Sequence, residues 1–277
     1  MDSKLEFVSK EFGKEVHQLD SIQTWTFSET LGALSLVLII YLALVLKILP
    51  RFMKNRQAYE LNRLLSIYNA LQVASSMYIV LLYAKYILQY GIITTRCPRG
   101  DDLRSVIVDI LPYFIAKHID LLDTVFFILR KKQNQVTFLH VYHHSAMVAW
   151  TWFHYMYHPC DHFVVVGLIN SFVHVIMYTY YGLASLGPEY SKFVWWKKHV
   201  TKIQLMQFVL VISNLYYQQK LTPCPIPAAF HYFCLFSIGS FFILFINFYL
   251  RSYGNKIKKR VDIPEVRHPD TIDSKYN

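Results

Sequence analysis

The fold class is decided by residues 31–49, LGALSLVLIIYLALVLKIL, in which Lys47 is the only charged residue. The hydrocarbon core of a bilayer is about 30 Å thick and is crossed by a helix of roughly 20 apolar residues. This stretch is therefore predicted to be a membrane-spanning helix.

Further stretches of similar length and apolar character follow along the chain. The third predicted span contains several polar and ionisable side chains, and the sixth is short and rich in Gln, so both are expected to face the interior of a bundle. We count seven spans in an all-α polytopic membrane protein, at residues 31–49, 65–90, 106–129, 136–154, 163–183, 201–217 and 230–250. They form one transmembrane domain over residues 31–250.

The composition agrees with this assignment. Hydrophobic residues make up 54% of the chain and charged residues only 17%, which argues against a soluble protein and against a disordered one. The net charge of +10 is compatible with nucleic acid or with a membrane surface. Because the basic residues lie in the loops between apolar spans, a membrane surface is favoured and no nucleic acid partner is expected.

The distribution of Lys and Arg predicts the orientation. Most of these residues lie around positions 51–63, 130–132 and 192–202 and in the basic tail 251–277, whereas the alternate loops and residues 1–30 hold few. Basic loops remain in the cytosol. We therefore predict a lumenal N-terminal segment, residues 1–30, and a cytosolic tail, residues 251–277. Residues 1–29 lack a short apolar run before a cleavage site, so no cleavable signal peptide is expected.

Three of the cysteines, Cys97, Cys160 and Cys224, then fall on the lumenal side. An oxidising compartment permits a disulfide between two of them. We expect Cys97 to pair with Cys224, with free cysteines as the alternative.

Ionisable and amide side chains within the predicted spans gather at one depth. Such groups are costly in a membrane and are candidates for function. With a rise of about 1.5 Å per residue, those of the third to sixth spans fall in the cytosolic half. They are Lys117, Asp120, Asp123, His140, His143, His144, Asn170, His174, Gln204 and Gln207. The alternative is a purely structural role, in which these groups join the helices by hydrogen bonds.

A metal centre is a second alternative, because the spacing His-x-x-His-His resembles one box of the membrane di-iron desaturases and hydroxylases. Those enzymes need several such boxes at one depth. The other histidine-rich stretch here, His154, His158 and His162, is predicted to lie on the opposite side of the membrane and has no accompanying carboxylate motif. The sequence therefore does not favour a metal site.

Four motifs resemble those of the ELO family of very-long-chain fatty acid elongases, and they occur in the family's order. They are KHIDLLDT at 117–124, HVYHH at 140–144, NSFVH at 170–174 followed by MYTYY at 177–181, and TKIQLMQ at 201–207. The family commonly has Glu where this chain has Asp120. It also often ends in a dilysine retrieval signal, whereas this chain has only Lys275 near its end.

The resemblance implies a seven-helix condensing enzyme, a 3-ketoacyl-CoA synthase of the endoplasmic reticulum membrane. Such an enzyme joins a long-chain acyl-CoA to malonyl-CoA and releases CO2 and CoA, with no cofactor. The implied partners are membrane lipid and the 3-ketoacyl-CoA reductase, dehydratase and enoyl reductase that complete the elongation cycle, and a homodimer is left open. The acyl chain would need a dry tunnel that runs from the histidines toward the lumenal end.

The roles of individual residues follow partly from elimination and partly from the family. The cysteines are predicted to lie away from the polar cluster, so a histidine is left as the group that accepts the acyl chain. The family ranks His143 first, and spacing alone does not exclude its neighbours. Asp120 or Asp123 is expected to orient the histidines, and His174 to assist malonyl decarboxylation and enolate stabilisation. The predicted catalytic set is His140, His143, His144, His174, Asp120, Asp123 and Asn170.

The resemblance also implies a path for acyl-CoA along the cytosolic mouth of the bundle. The implied residues are Lys117, Arg130, Lys132, Gln135, His140, Tyr180, Lys197, Thr201 and Gln204. We add Lys258 from the basic tail, because CoA carries phosphates. Ordinary positive-inside topology is the alternative for these loop cations.

A receptor or a transporter is the remaining alternative class for seven apolar spans. A transporter is expected to show an internal repeat with broken helices, and no such repeat is visible in the sequence. A receptor has no need for Lys, Asp and His side chains gathered near the cytosolic face.

Overall fold

The computed structural model describes residues 27–187, 189–190, 196–224 and 226–254, without the side chains of 27–29, 197, 253 and 254. Every regular element in these ranges is helical, which confirms the predicted all-α class. The N-terminal segment 1–26 and the tail from 255 onward, which includes Lys258, lie outside the described residues.

The helices follow one another with short connections. Helix α1 (Phe27–Ala43) continues through a π-helical stretch (Leu44–Ile48) into α2 (Leu49–Met53). The others are α3 (Asn62–Tyr90), α4 (Asp101–Ile119), α5 (Leu122–Leu129), α6 (Phe138–Tyr157), α7 (Val164–Ser185), α8 (Lys197–Leu221) and α9 (Ala228–Tyr249). Short 3₁₀ turns at Gln133–Gln135 and Asp161–Phe163 precede α6 and α7, and a π-helical turn (Leu250–Gly254) follows α9.

Several helix ends are explained by the local sequence. The side chain of Thr137 caps α6 by accepting a hydrogen bond from the backbone N–H of His140. Helix α3 ends at Gly91, whose positive φ of 88° is a conformation that glycine adopts without strain. Asp101 and Asp102 in the first turn of α4 place negative charge at the positive end of that helix dipole.

The third predicted span is wrong in one respect, because residues 106–129 do not form one continuous helix. Helix α4 ends at Ile119 and α5 begins at Leu122. Between them the backbone turns tightly, with the N–H of Leu121 donating to His118 O and that of Asp123 to Asp120 O. With hydrogen bonds from i to i+3, the side chains of residues three positions apart point in the same direction from the helix axis. The break therefore turns the carboxylates of Asp120 and Asp123 toward the same neighbours.

Four helical stretches are long and apolar enough to cross a membrane. They are Thr30–Met53, Asn62–Tyr90, Asp161–Ser185 and Ala228–Ser252. Large apolar side chains on their surfaces, such as Leu36, Leu81 and Phe236, are exposed, as expected for side chains that face lipid. The remaining described helices do not meet these requirements of length and apolar composition together. The count of seven spans and their orientation therefore stay predictions.

Helices α3 and α7 pack against each other along most of their length and form the most extensive helix pair of the bundle. They are in close contact at Gly167, where an added Cβ would lie 2.5 Å from Cε2 of Tyr83. Small residues allow helices in a membrane to come this close. Helix α4 packs against α6, and α8 packs between α7 and α9, so that α6, α7, α8 and α9 surround a common interior.

The end of the bundle where α3 leads into α4 is fixed by a disulfide and by buried polar contacts. The structure joins Cys97 to Cys224, the pairing expected from the sequence, and leaves Cys160 and Cys234 as free, buried thiols. Gln218 bonds both the N–H and the C=O of Thr94. We call this region the disulfide end. The opposite end of the same helices holds the predicted catalytic residues.

Candidate active site

A cavity of about 540 Å³ lies between α6, α7, α8 and α9, at the end opposite the disulfide. We call it the outer cavity. Its mouth is formed by the start of α6, the ends of α7 and α9 and the first turns of α8, and its volume is within the range of small-molecule sites. Its polar lining comes from Asp123, Asn134, Gln135, Thr137, His140, His143, His144, Asn170, His174, Tyr180, Tyr181, Thr201, Gln204, Gln207 and Ser252.

A second, narrower cavity of about 50 Å³ continues from the outer cavity toward the disulfide end. This inner cavity is mostly apolar, with Met147, Trp150, Val166, Val211 and Ile238 among its lining residues. Along α6, His143, Ala146, Met147 and Trp150 recur at the i, i+3, i+4, i+7 spacing of one helix face. The inner cavity therefore follows that face for about two helical turns, or roughly 10 Å.

The three histidines of the HVYHH motif occupy different environments on α6. His140 Nε2 is 3.0 Å from the hydroxyl of Thr124, which in turn bonds the hydroxyl of Tyr41 at 2.7 Å. His144 is buried, with its ring centroid 4.2 Å from that of His140. His143 contacts the rings of His144 and Phe241, and in the described part of the chain it has no hydrogen bond. Of these three imidazoles, only that of His143 lines both cavities.

Asp120 is the centre of a buried polar network behind the outer cavity. Its carboxylate lies 3.1 Å from Lys117 Nζ, and both side chains are about 3% exposed. It also accepts hydrogen bonds from Gln72 Nε2 at 2.7 Å and from the hydroxyl of Tyr178 at 3.0 Å. A buried carboxylate is stable only when it is paired and hydrogen-bonded in this way. His174 Nδ1 lies 3.7 Å from the same carboxylate.

Asp123 belongs to the same network through two tyrosines. The hydroxyl of Tyr68 donates to it at 2.8 Å, and that of Tyr178 lies at the same distance, so the single hydrogen of Tyr178 is shared between the two carboxylates. Asp120 or Asp123 was expected to orient the histidine cluster, and that role stays a prediction. Asp120 lies beside His174, whereas the histidines of α6 form no hydrogen bond or ion pair with either carboxylate among the described residues. His140 is instead hydrogen-bonded to the hydroxyl of Thr124.

The structure brings most of the predicted site residues together. His140, His143, His144, His174, Asp123, Asn170, Gln135, Tyr180, Thr201 and Gln204 line the outer cavity. Lys117 and Asp120 lie behind this lining and do not reach it. Arg130 bonds Asn62 Oδ1 at 3.4 Å near the mouth, and Lys132 is exposed in the turn before α6. The side chain of Lys197 and the whole of Lys258 lie outside the described residues.

Two residues of the network, Tyr68 and Gln72, were not predicted from the sequence. They lie one turn apart on α3 and donate to Asp123 and Asp120 respectively. A third, Tyr113 on α4, donates to Asn170 Oδ1 at 3.0 Å. The signal that could have identified Gln72 is an uncharged amide within a span, which needs a partner inside the bundle. Tyr68 and Tyr113 have no such signal, because tyrosine is common in packed helices.

The second histidine-rich stretch is used differently. His154 Nε2 lies 3.0 Å from Cys160 O, and His162 Nε2 lies 3.3 Å from the hydroxyl of Thr222. Asp161 accepts hydrogen bonds from the hydroxyls of Tyr86 and Thr94. None of the three histidines lines either cavity. In the part of the chain that the structure describes, no group of three or more His, Cys, Asp or Glu side chains is arranged to hold a metal ion.

Comparison with known proteins places the chain in a family. A family model described as GNS1/SUR4, or ELO, matches residues 26–261. Very long chain fatty acid elongase 1 of Homo sapiens is 41% identical over 227 residues, which cover 78% of this chain and 80% of that protein. Very long chain fatty acid elongase 4 of Mus musculus is 38% identical over 209 residues, covering 74% and 67%. Very long chain fatty acid elongase 5 of Xenopus laevis is 37% identical over 214 residues, covering 76% and 72%. The chain therefore belongs to the ELO (GNS1/SUR4) family, in agreement with the motifs in its sequence.

Proposed function

We propose that this protein carries out the condensation step of fatty acid elongation. It joins a long-chain acyl-CoA to malonyl-CoA and releases 3-oxoacyl-CoA, CO2 and CoA, through an acyl group held on His143. Relatives named very long chain fatty acid elongases support elongation as the process. The observation that carries the chemistry is the position of His143, an imidazole without a hydrogen bond in the described part of the chain, where the polar and apolar cavities meet.

The choice of a histidine as nucleophile is supported by the positions of the cysteines. The sequence has four, of which two form a disulfide and two are buried thiols that line neither cavity; Cys234 lies behind the inner cavity, where it accepts a hydrogen bond from Trp150. No thiol is therefore within the site. A neutral imidazole is a competent nucleophile near neutral pH, which fits the remaining candidate.

In the first step a ring nitrogen of His143 attacks the thioester carbonyl carbon of acyl-CoA. The carbon–sulfur bond breaks, and the CoA thiolate takes the proton released from the imidazole. The products are an acyl-imidazole and CoA. The carbons of the acyl chain next to the carbonyl then enter the inner cavity, whose apolar lining suits a chain with no polar group of its own.

In the second step malonyl-CoA loses CO2, and the electron pair of the broken carbon–carbon bond forms the enolate of acetyl-CoA. The enolate carbon attacks the acyl carbonyl, the bond to the imidazole breaks, and the ring nitrogen takes up a proton. We assign His174 to this step, since it lines the outer cavity beside Asp120 and can stabilise the enolate oxygen. Asp120, held by Lys117, Gln72 and Tyr178, fixes the orientation of His174.

CoA is proposed to lie along the mouth of the outer cavity. Gln135, Tyr180, Thr201 and Gln204 line this region, and Arg130 and Lys132 flank it with positive charge for the phosphates. We keep Lys197 and Lys258 as further members of this path. Lys117, which was also expected there, is buried against Asp120 behind the lining, so we assign it to the network that holds Asp120. No cofactor is needed, because decarboxylation of the malonyl group supplies the driving force.

We also propose seven membrane spans, with the N-terminus in the lumen and the C-terminus in the cytosol. The mouth of the outer cavity lies at the same end as Arg51, Arg130 and Arg251, and basic residues mark the cytosolic side. The disulfide is at the other end, as expected for an oxidising lumen. We propose the endoplasmic reticulum as the compartment, since its lumen is oxidising, and there the product would pass to the reductases and the dehydratase of the cycle.

The test is a stoichiometric assay of the purified full-length chain in lipid nanodiscs. We expect 3-oxoacyl-CoA, CO2 and free CoA in equal amounts, and only when acyl-CoA and malonyl-CoA are both present. A desaturated or hydroxylated acyl product, formed with oxygen and an electron donor and without malonyl-CoA, would replace the proposal with the di-iron alternative. The absence of any product from the folded protein would also overturn it.

A further inference from the structure

Gln207 on α8 is a buried amide without a partner. It is 7% exposed and lines both cavities, yet its carboxamide oxygen has no hydrogen bond and its Nε2 donates to no group in the described part of the chain. Leaving a buried polar group unpaired costs about 1–3 kcal/mol. Such a group calls for an explanation, and a bound ligand is one where the residue also lines a cavity.

Gln204, one turn earlier on the same helix, shows the contrast. Its Nε2 donates to Met177 Sδ at 3.6 Å, and it lines the outer cavity only. The amide of Gln204 is thus held to α7 by one hydrogen bond. Gln207 has no such contact, so its hydrogen-bonding capacity is left for a molecule in the cavities.

Asn170 on α7 presents a second available amide at the same place. Its Oδ1 accepts from the hydroxyl of Tyr113 at 3.0 Å, which fixes the side chain with its NH2 group on the other side. That NH2 group has no acceptor among the described residues. Tyr113 is itself buried and lines the inner cavity, so it can act as a positioning residue for Asn170.

Three residues, His143, Asn170 and Gln207, line both the outer and the inner cavity. An acyl-CoA whose CoA part lies in the outer cavity and whose chain lies in the inner one must have its thioester carbonyl at this junction. Resting on the condensation chemistry proposed above, we propose that the NH2 groups of Asn170 and Gln207 form the oxyanion hole for that carbonyl.

The chemistry needs such donors. When His143 attacks the carbonyl carbon, the π electrons of the C=O bond move onto the oxygen and create a negative charge in an apolar, water-poor region. Two N–H donors stabilise this charge until the tetrahedral intermediate collapses, the carbon–sulfur bond breaks and CoA leaves. A single donor of this kind contributes about 10²- to 10³-fold to kcat. The same two groups serve the tetrahedral intermediate of the second step.

The main test compares Gln207→Met with Asn214→Leu. Asn214 is on the same helix, is equally buried and also has an unpaired amide oxygen, but it lines neither cavity. We expect Gln207→Met to lower kcat about 100-fold, with KM for acyl-CoA changed less than about threefold because ground-state binding is retained. Asn214→Leu should leave kcat within about threefold of the wild type. Equal losses in both variants, or normal kcat in Gln207→Met, would overturn the oxyanion hole.

The positioning role of Tyr113 has its own readout. Tyr113→Phe keeps the ring and removes only the bond to Asn170, so we expect kcat to fall about tenfold with KM nearly unchanged. A rise in KM at constant kcat would contradict this role.

Measuring the binding of two acyl-CoA analogues to the wild-type protein provides a test that does not depend on whether a variant folds. A ketone analogue of acyl-CoA, with CH2 in place of sulfur, retains the carbonyl oxygen, whereas the S-alkyl thioether lacks it. We expect the ketone to bind at least about tenfold more tightly, because His143 can add to its carbonyl carbon and the two amides then stabilise the resulting oxyanion, which the thioether cannot form. Equal Kd values would overturn the oxyanion hole. Normal condensation with equal Kd values would leave the proposed function intact, whereas a wild-type protein that forms no 3-oxoacyl-CoA would overturn both.

Discussion

The two histidine-rich regions of α6 and its following loop have similar composition but opposite surroundings. His140, His143 and His144 line a cavity of about 540 Å³, whereas His154 and His162 are buried against Cys160 and Thr222 and line neither cavity. Both regions contain nearby aspartates with hydroxyl donors. The difference is access: the first group has space for a substrate, and the second is filled by protein. Histidine spacing alone therefore does not identify a reactive site.

The largest effect on activity is expected when one histidine from each region is replaced, His143→Ala in the first and His154→Ala in the second, both on α6. Removing the nucleophile should lower product formation by at least about 1000-fold. Loss of His154 removes a buried hydrogen bond and packing, so it should lower Tm while activity per folded molecule stays within about threefold. Product is measured by mass spectrometry and Tm by thermal unfolding in detergent. Equal losses of activity per folded molecule would contradict the distinction between the two regions.

A smaller effect is expected at the aspartates of the two regions. Asp120→Asn leaves the buried ammonium of Lys117 without its partner, which should destabilise the fold by about 3–5 kcal/mol and impair His174. Asp161→Asn should have less effect, because the hydroxyls of Tyr86 and Thr94 can also donate to an amide oxygen. Asp120→Glu keeps the charge and serves as the conservative control. A greater loss of stability in Asp161→Asn would show that the network at the disulfide end is the more demanding one.

The disulfide should contribute stability and not catalysis. Replacing Cys97 and Cys224 together by Ser should lower stability by about 2–4 kcal/mol, because the bond closes a long loop. Activity at temperatures well below unfolding should remain, since the bond lies at the end opposite the mouth of the outer cavity. Activity that disappears at these temperatures, with the protein still folded, would mean that the two ends are coupled.

The smallest effect is expected at the contact between α3 and α7 that joins the two ends. Gly167→Ala brings a methyl group to 2.5 Å from the buried ring of Tyr83, so the ring or the helices must shift, at a cost of about 1–3 kcal/mol. Gly239→Ala is the matched control, because an added Cβ there has nothing within 4 Å. In thermal unfolding we expect a lower Tm for the first variant and an unchanged or higher Tm for the second. The reverse order would contradict the close packing of these helices.

Much of the site could be predicted because intramembrane polar groups are few and expensive. Asn170 and His174 share a helix face with Tyr181, and helical spacing alone predicts that they lie together, as they do in the outer cavity. The break between α4 and α5 could not be predicted, because it falls at Asp120 and Leu121, and neither residue is a Gly or Pro that would indicate the end of a helix. It depends on donors from other helices, chiefly Gln72 and Tyr178.

The division of the site into an outer and an inner cavity could also not be predicted from the sequence. An apolar tunnel was expected, but its meeting point with the polar site depends on how α6, α7 and α8 are rotated about their axes. Gln207 illustrates this limit, since it belongs to the same motif as Gln204 and yet faces both cavities without a partner. The spacing of residues along a helix predicts which side chains share a face. Only the packing of the helices shows which face lines a cavity.

The most direct test of the central claim is the mass of the intact protein after incubation with a long-chain acyl-CoA alone, followed by peptide mapping and a chase with malonyl-CoA. We predict the gain of one acyl group on the peptide that contains His143 and its loss, with formation of 3-oxoacyl-CoA, during the chase. An adduct on another residue would contradict the assignment of His143. Normal product without any adduct would contradict the acyl-histidine intermediate and would mean that condensation is direct, with both CoA esters bound together.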